Sequence, residues 1–294
     1  LSTPPWYAYL RIAEGCDNHC AYCVIPSLRG KYRSRPMEGL LEEARELADA
    51  GVKELLVIAQ DITRYGTDLN GEHQLASLLR ELCRLDFHWV RLHYLYPDEI
   101  TEELIDTIAE EPKIVKYLDI PIQHCNDGIL KAMNRRDTKA ELLDLLTKLR
   151  ARIPGLVLRT SLITGLPGEG EAELEELCVF LRETKIERAG VFPFSPEEGT
   201  RAAQMDHVDM EEARRRAELV VDVQSDIIDA YNESVLGTER EVLCEGFDSS
   251  YAESPDIDGR IWFDADREVE PGTFVTVRLT GVMDGELTGE LAEE

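Results

Sequence analysis

The chain has 294 residues, 43% of them hydrophobic and 31% charged, a composition that supplies a buried core and argues against disorder. Its 32 basic and 59 acidic side chains leave a formal charge of -27, which disfavours nucleic acid as a whole-surface ligand and favours basic partners. No apolar run has the length of a bilayer span, and Leu1-Ser2-Thr3-Pro4-Pro5 lacks the basic and apolar regions of a secretion signal, so a cytoplasmic protein without a membrane partner is expected.

Short β-branched runs alternate with longer amphipathic stretches. Strands are predicted at Tyr7–Ile12, Glu54–Ala59, Val90–Tyr94, Tyr117–Ile120, Val157–Ile163 and Ala189–Phe192. Helical spacing of apolar residues marks Glu38–Ala50, Gln74–Arg84, Asp98–Glu110, Lys139–Arg152 and Glu171–Thr184, with Gly51 as a C-terminal cap and Pro97-Asp98 as a helix opening. Strands joined by helical crossovers pair in parallel, as a sheet or a partial barrel, and ligands then collect at the carboxyl ends of the strands. A last helix is predicted over Met210–Tyr231. Beyond Glu233 the runs shorten: Glu241–Cys244, Arg260–Phe263, Thr273–Leu279 and a final Gly-Glu-Leu-Thr-Gly-Glu-Leu, split by turn residues, predict a small antiparallel barrel. The expected organisation is an α/β domain over residues 1–232 and a small all-β domain over 233–294.

Just past the first predicted strand lies Glu14-Gly15-Cys16-Asp17-Asn18-His19-Cys20-Ala21-Tyr22-Cys23. Cys16, Cys20 and Cys23 have ligand spacing rather than disulfide spacing, and three thiolates on one short loop are soft ligands for an iron–sulfur cluster or zinc with a position left open. A zinc site completed by His19 or Asp17 is the competing reading. Cys83, Cys125, Cys178 and Cys244 are widely spread and read as small buried apolar residues, with Cys125, next to His124, expected near the pocket.

The cysteine loop continues into Ile25-Pro26-Ser27-Leu28-Arg29-Gly30-Lys31-Tyr32-Arg33-Ser34-Arg35-Pro36. With Gly51-Val52-Lys53-Glu54, Ala59-Gln60-Asp61, Ile120-Pro121-Ile122-Gln123-His124, Arg159-Thr160, Gly165-Leu166-Pro167-Gly168-Glu169 and Phe192-Pro193-Phe194-Ser195-Pro196, it resembles the radical S-adenosylmethionine methylthiotransferase family, in the branch that modifies a ribosomal protein rather than transfer RNA. The resemblance runs over the whole chain. It implies a partial (β/α)6 TIM-like radical SAM barrel followed by a TRAM-type barrel. It further implies a 4Fe-4S cluster held by Cys16, Cys20 and Cys23, whose open iron takes S-adenosylmethionine, and methylthiolation at the β-carbon of an aspartate in a basic small-subunit ribosomal protein, with an external electron donor. No acid–base catalytic residue is implied.

Residues implied to contact S-adenosylmethionine are Tyr22, Gly51, Glu54, Gln60, Gln123, His124, Arg159, Ser161, Gly165 and Glu169. A capping glycine also explains Gly51, and His124 is given a pocket role without chemistry. Arg29, Lys31, Arg33 and Arg35 form a basic patch beside the cysteine loop, either a solvated loop or a holder of the substrate carboxylate. Gly165 is expected to let backbone approach the adenine. The family also carries an N-terminal domain holding a second cluster. Its signature is absent here and the chain starts at Leu1, so a fragment is expected that cleaves the cofactor but methylthiolates poorly.

From Val235 onward sixteen acidic residues face four arginines, -12 of the total charge. That is a solvated surface or a docking face for the basic protein. Two alternatives stand beside the main reading: a transfer-RNA methylthiotransferase, which such an acidic barrel disfavours, and a zinc-bound interaction module.

Overall fold

The computed structural model describes residues 3–245, 248–250, 253–255 and 257–292. Six strands, β1 (Tyr7–Arg11), β2 (Glu54–Ile58), β3 (Trp89–Leu92), β4 (Ile114–Asp119), β5 (Val157–Thr164) and β6 (Arg188–Pro193), form one sheet in sequential order. Every neighbouring pair is parallel, with Tyr7 beside Glu54 and Arg159 beside Arg188. Each strand must therefore return by a crossover, and helices supply it: α1 (Met37–Asp49), α2 (Leu75–Cys83), α3 (Glu102–Glu110), α4 (Asp127–Ala132) with α5 (Lys139–Arg152), and α6 (Glu171–Thr184).

Alternation along the strands sorts their side chains. Leu55 and Val57 of β2, and Leu158 and Leu162 of β5, join a core with helix residues such as Leu40, Leu79, Leu146 and Leu177. Fully burying each leucine contributes roughly 1.5–3 kcal/mol. Residues one place along, such as Arg159 and Ser161, point to the opposite, lumen side of the sheet.

Local signals set the helix ends. Thr138 and Glu141 form a reciprocal capping box that opens α5, and Asp209 caps α7 (Met210–Val235) by accepting from the Glu212 N–H. The segment after Pro97 departs from expectation: Pro97–Glu99 is a single 3-10 turn, and α3 starts only after Thr101, whose hydroxyl accepts from the Leu104 N–H. The last helix runs about one turn beyond Tyr231, to Val235.

The terminal domain is a closed barrel of β7 (Glu239–Cys244), β8 (Asp248–Ser250), β9 (Ile261–Asp264), β10 (Phe274–Met283) and β11 (Glu286–Leu291). It is not wholly antiparallel as expected: β9 pairs with β11 in parallel, because β10 intervenes between them in sequence while both lie side by side in the barrel. The barrel sits under the amino ends of the first domain's strands. There Leu243 and Phe274 pack against Trp89, Val115 and Val157, and Phe274 stacks on His88 at 3.8 Å between ring centroids. No described helix is long and apolar enough to cross a membrane.

Candidate cofactor pocket

The cysteine loop leaves the carboxyl end of the first sheet strand and is pinned from several sides. Gly15 has φ +80°, and a Cβ there would fall 2.2 Å from the Lys31 carbonyl oxygen, so only glycine lets the chain turn under that segment. Its N–H donates to Gln60 Oε1 at 2.8 Å. The Cys16 N–H donates to the Gly30 carbonyl and the Ala21 N–H to the Met133 carbonyl. Asn18 donates to Asp61, while the Asp17 carboxylate accepts from the Tyr32 N–H.

Cys16, Cys20 and Cys23 line one cavity of about 420 Å3, within the size range of small-molecule sites. Tyr22, Gln60, Gln123 and Ser161 line it too, so seven of the residues expected at the site come together at the carboxyl ends of the strands. Gln123 holds an unusual φ of 69°, secured on both sides: its N–H donates to the Ser161 carbonyl, and its own carbonyl accepts from the Ile163 N–H.

Among the described residues, no three His, Cys, Asp or Glu side chains gather around a point that a single metal ion would fill. The thiols instead share the wall of a cavity, an arrangement for a polyatomic group. Asp17, one of the two residues suggested as a fourth zinc ligand, is engaged by the Tyr32 amide. Burial pushes the Cys16 thiol up to about 11 and raises Cys23 as well. A bare thiolate is thus disfavoured here, and a bound cation is what would displace the thiol protons.

Other expected residues lie elsewhere. Gly51 and Glu54 stand at the amino end of β2, the opposite pole of the sheet from the cysteine loop. Gly51 (φ +90°) follows α1, and Glu54 is fully buried and accepts from Arg91 Nε at 2.6 Å. Parallel strands place everything that precedes a strand at the end remote from the ligand. Arg159 sits in the lumen beneath the pocket, donating from Nη1 to Asp119 Oδ1 at 2.8 Å. Gly165 does not free space for a ring: a Cβ on it would meet the Ala213 Cβ of α7 at 2.7 Å, so the glycine serves helix packing.

His124 and Glu169 form a buried layer behind the wall. His124 Nδ1 accepts from the Cys125 and Asn126 N–H groups at 3.0 Å, which leaves the ring proton on Nε2, 3.3 Å from Glu169 Oε2. The other Glu169 oxygen accepts from the Gly165 N–H and from Arg216 Nη1. Cys125 is buried beside His124, and its thiol faces the Glu176 carbonyl at 3.6 Å.

The basic patch does not reach the cavity. Arg29 pairs with Glu14, Arg33 donates to the Lys31 and Arg29 carbonyls, and Arg35 pairs with Glu43; Lys31, with them, is not among the lining residues. The cation that does line it is Arg135, which sequence reasoning missed. It is 8% exposed, its guanidinium lies over the Tyr96 ring at 4.1 Å, and Nη2 donates to the Pro121 carbonyl at 3.0 Å. Its Nε is buried without a partner. Burial works against the charge, but neighbouring groups raise the Arg135 pKa above its ordinary value, among them the Asp137 carboxylate 3.3 Å from Nη2. Tyr96 in turn brings its hydroxyl to 3.9 Å from Cys20 Sγ.

Fold and pocket together define a radical SAM protein with a terminal TRAM barrel. The Radical SAM superfamily model matches residues 10–181 and the TRAM domain model residues 236–292. Among solved structures, the chain is similar in fold to coproporphyrinogen III oxidase (HemN) from Escherichia coli, with a TM-score of 0.57 and 18% identity over 78% of this chain and 58% of that one. It is also similar to the radical S-adenosylmethionine methyltransferase TsrM from Kitasatospora setae, solved with cobalamin and a [4Fe-4S] cluster, with a TM-score of 0.53 and 18% identity over 65% of this chain and 38% of that one.

More specifically, the chain belongs to the family of the ribosomal protein uS12 methylthiotransferases RimO. It is 47% identical to the member from Caldanaerobacter subterraneus subsp. tengcongensis over 99% of this chain and 68% of that protein. With the member from Geotalea uraniireducens it shares 47% over 99% of this chain and 67% of that one.

Proposed function

We propose that this chain is the radical-generating and substrate-docking part of a methylthiotransferase acting on an aspartate of ribosomal protein uS12. The observation that carries the reading is the cavity at the carboxyl ends of the strands, where Cys16, Cys20 and Cys23 stand opposite Gln123, Ser161 and Arg135. The three thiols fit a 4Fe-4S cluster with one iron left for S-adenosylmethionine. When bound, that pair supplies the radical that removes a hydrogen from the substrate carbon.

The chain's own residues bind and orient. Tyr22, between two ligands, covers the group they hold. Gln123 and Ser161 offer polar atoms to the ribose or methionine. Arg135 supplies a donor for a carboxylate: Tyr96, Pro121 and Asp137 hold its fork, and its buried Nε has no hydrogen-bond partner. His124 and Glu169 hold the strand ends in place from behind and do not touch the ligand.

The terminal barrel, from about residue 236 onward, docks the basic ribosomal protein. Part of its acidity serves other contacts: Glu241 pairs with His88, and Glu245 accepts from Trp6 Nε1 at 3.1 Å. Asp264, Asp266 and Glu290, with Arg267 among them, line an outer concavity that a partner can reach. Such a substrate places the protein in the cytoplasm, served by an external one-electron donor.

The test is anaerobic reconstitution followed by iron, sulfide and deoxyadenosine assays, then mass spectrometry of added uS12. A cluster's worth of iron and sulfide with cofactor cleavage but little or no methylthio-aspartate supports the reading, and full product formation would show that the chain needs no further part. Stoichiometric zinc without sulfide would overturn it in favour of a metal-bound interaction module. Salt-sensitive transfer-RNA binding with RNA modification would transfer the activity to the other branch of the family.

A further inference from the structure

Beneath the pocket the barrel lumen is closed by the other domain. Between β8 and β9 the terminal barrel sends a segment upward in which Glu253 and Ser254 are each only 1% exposed. Glu253 Oε1 accepts from Arg188 Nη2 at 2.7 Å, and Ser254 Oγ lies 3.0 Å from His93 Nε2. Asp258 Oδ2 accepts from the Tyr117 hydroxyl at 2.6 Å, while its Oδ1 stands 3.7 Å from Arg159 Nε. The segment is braced internally: the Ser254 N–H donates to the Asp258 carboxylate, and the Asp258 N–H donates back to the Ser254 carbonyl.

Charge explains why the segment belongs there. In this layer the first domain presents the buried Arg188 and the partly buried Arg159, with Asp119 paired to Arg159. Glu253 supplies Arg188 with a carboxylate from across the domain boundary, and Asp258 places a second carboxylate beside Arg159. A buried guanidinium is costly without a carboxylate against it, so docking of the terminal barrel completes the surroundings of Arg188.

The layer also sits directly under the ligand. Tyr94 and Leu95, which line the pocket, follow His93. Pro121 lies two residues beyond Asp119, and Ser161 two beyond Arg159. Tyr94 holds φ 65°, a conformation that costs a tyrosine strain and persists only where its neighbours are fixed.

We propose that Glu253, Ser254 and Asp258 of the terminal barrel are positioning residues for the radical SAM pocket: they fix His93, Asp119 and Arg159, and through them the strand ends that receive S-adenosylmethionine. The terminal domain then does more than dock a substrate; it sets the floor of the cofactor site. This rests on the reading that the pocket takes S-adenosylmethionine. By linkage, the effect runs both ways: what fixes the pocket for the ligand must itself be steadied when the ligand binds.

Hydrogen–deuterium exchange on the reconstituted chain, with and without S-adenosylmethionine, tests it without any substitution. Exchange in peptides covering Glu253 to Asp258 should slow about threefold or more on binding, while Glu286–Leu291 stays unchanged, as a coupling of ordinary size requires. As a second arm, Asp258→Asn should weaken S-adenosylmethionine binding about fivefold or more with iron content unchanged. Glu239→Gln, which loses only the exposed pair with Arg278, should leave affinity unaltered. Unchanged exchange at the segment in a chain that does bind the cofactor, or equal affinities for the two variants, overturns the proposal. Failure of the unaltered chain to bind S-adenosylmethionine at all would instead sink the functional reading, and this inference with it.

Discussion

Asn18, inside the cysteine loop, donates from Nδ2 to Asp61 Oδ2 at 3.0 Å, joining two buried side chains 43 residues apart. Asp61 is the centre of a larger clasp. Its Oδ1 accepts from both the N–H and the hydroxyl of Thr63, and its carbonyl accepts from the Tyr32 hydroxyl at 2.9 Å. The position of Cys16 and Cys20 is thereby set by the strand end after β2. Asp61→Ala leaves the Asn18 amide and the Thr63 hydroxyl buried without their acceptor, at about 1–3 kcal/mol each. The expected result is a lower Tm and a reconstituted protein that retains less iron per chain. Wild-type iron content in the variant would show that the clasp does not hold the loop.

Much of this arrangement is written in local pattern. Helical spacing places Lys139–Arg152 and Glu171–Thr184 with the observed bounds, because apolar residues recur at helical intervals in both and Thr138 with Glu141 opens the first. The ligand triad is legible because its chemistry lies within eight residues of sequence. Arg135 is not, since it follows the short helix α4 in a loop with no motif, and only the tertiary fold lays it over Tyr96. Glu54 was misplaced for the opposite reason: a familiar segment suggests a ligand contact, but strand direction puts it at the far pole beside Arg91. The lumen contacts of Glu253 with Arg188 and of Asp258 with Tyr117 span 65 and 141 residues and cross between domains, which no local pattern encodes.

Arg135→Lys keeps a positive charge but loses the planar fork that stacks on Tyr96 and donates to the Pro121 carbonyl. If the pocket cation receives a carboxylate, the lost charge-assisted bonding is worth about 1.5–3 kcal/mol, roughly ten- to a hundredfold in affinity. Binding of S-adenosylmethionine, measured by equilibrium dialysis on the reconstituted protein, should weaken by that factor with iron content intact. Undiminished affinity together with loss of uS12 peptide binding would assign the same cation to the substrate's carboxylate.

Gly15→Ala tests the backbone turn rather than a side chain. The added Cβ would press on the Gly30 and Lys31 carbonyls at 2.6 and 2.2 Å, and neither can yield without moving the segment that pairs with the loop. Together with the strain of φ +80°, about 1–3 kcal/mol, this should loosen the loop and abolish cluster retention while the sheet remains folded. Far-UV circular dichroism and iron analysis report the two outcomes separately. A variant that keeps its full iron complement would mean the loop tolerates another path.

Asp119 predicts how the lumen layer responds to acid. Burial alone would raise its pKa, but the nearby His93 and Arg159 outweigh burial and hold it below the ordinary carboxylate value. The native state therefore binds this proton less readily than the unfolded chain, whose aspartates titrate near about 3.9. Its contribution to stability is fully present above that value and disappears as pH falls through the depressed native one. Asp119→Asn removes the contribution at every pH, so the variant should melt below the parent at about pH 6, and the gap should narrow as pH drops toward about 3. The measurement is thermal unfolding across that range for both proteins. A gap that stays constant with pH would show that the cost is lost packing and hydrogen bonding, not the charge that balances Arg159 in the lumen.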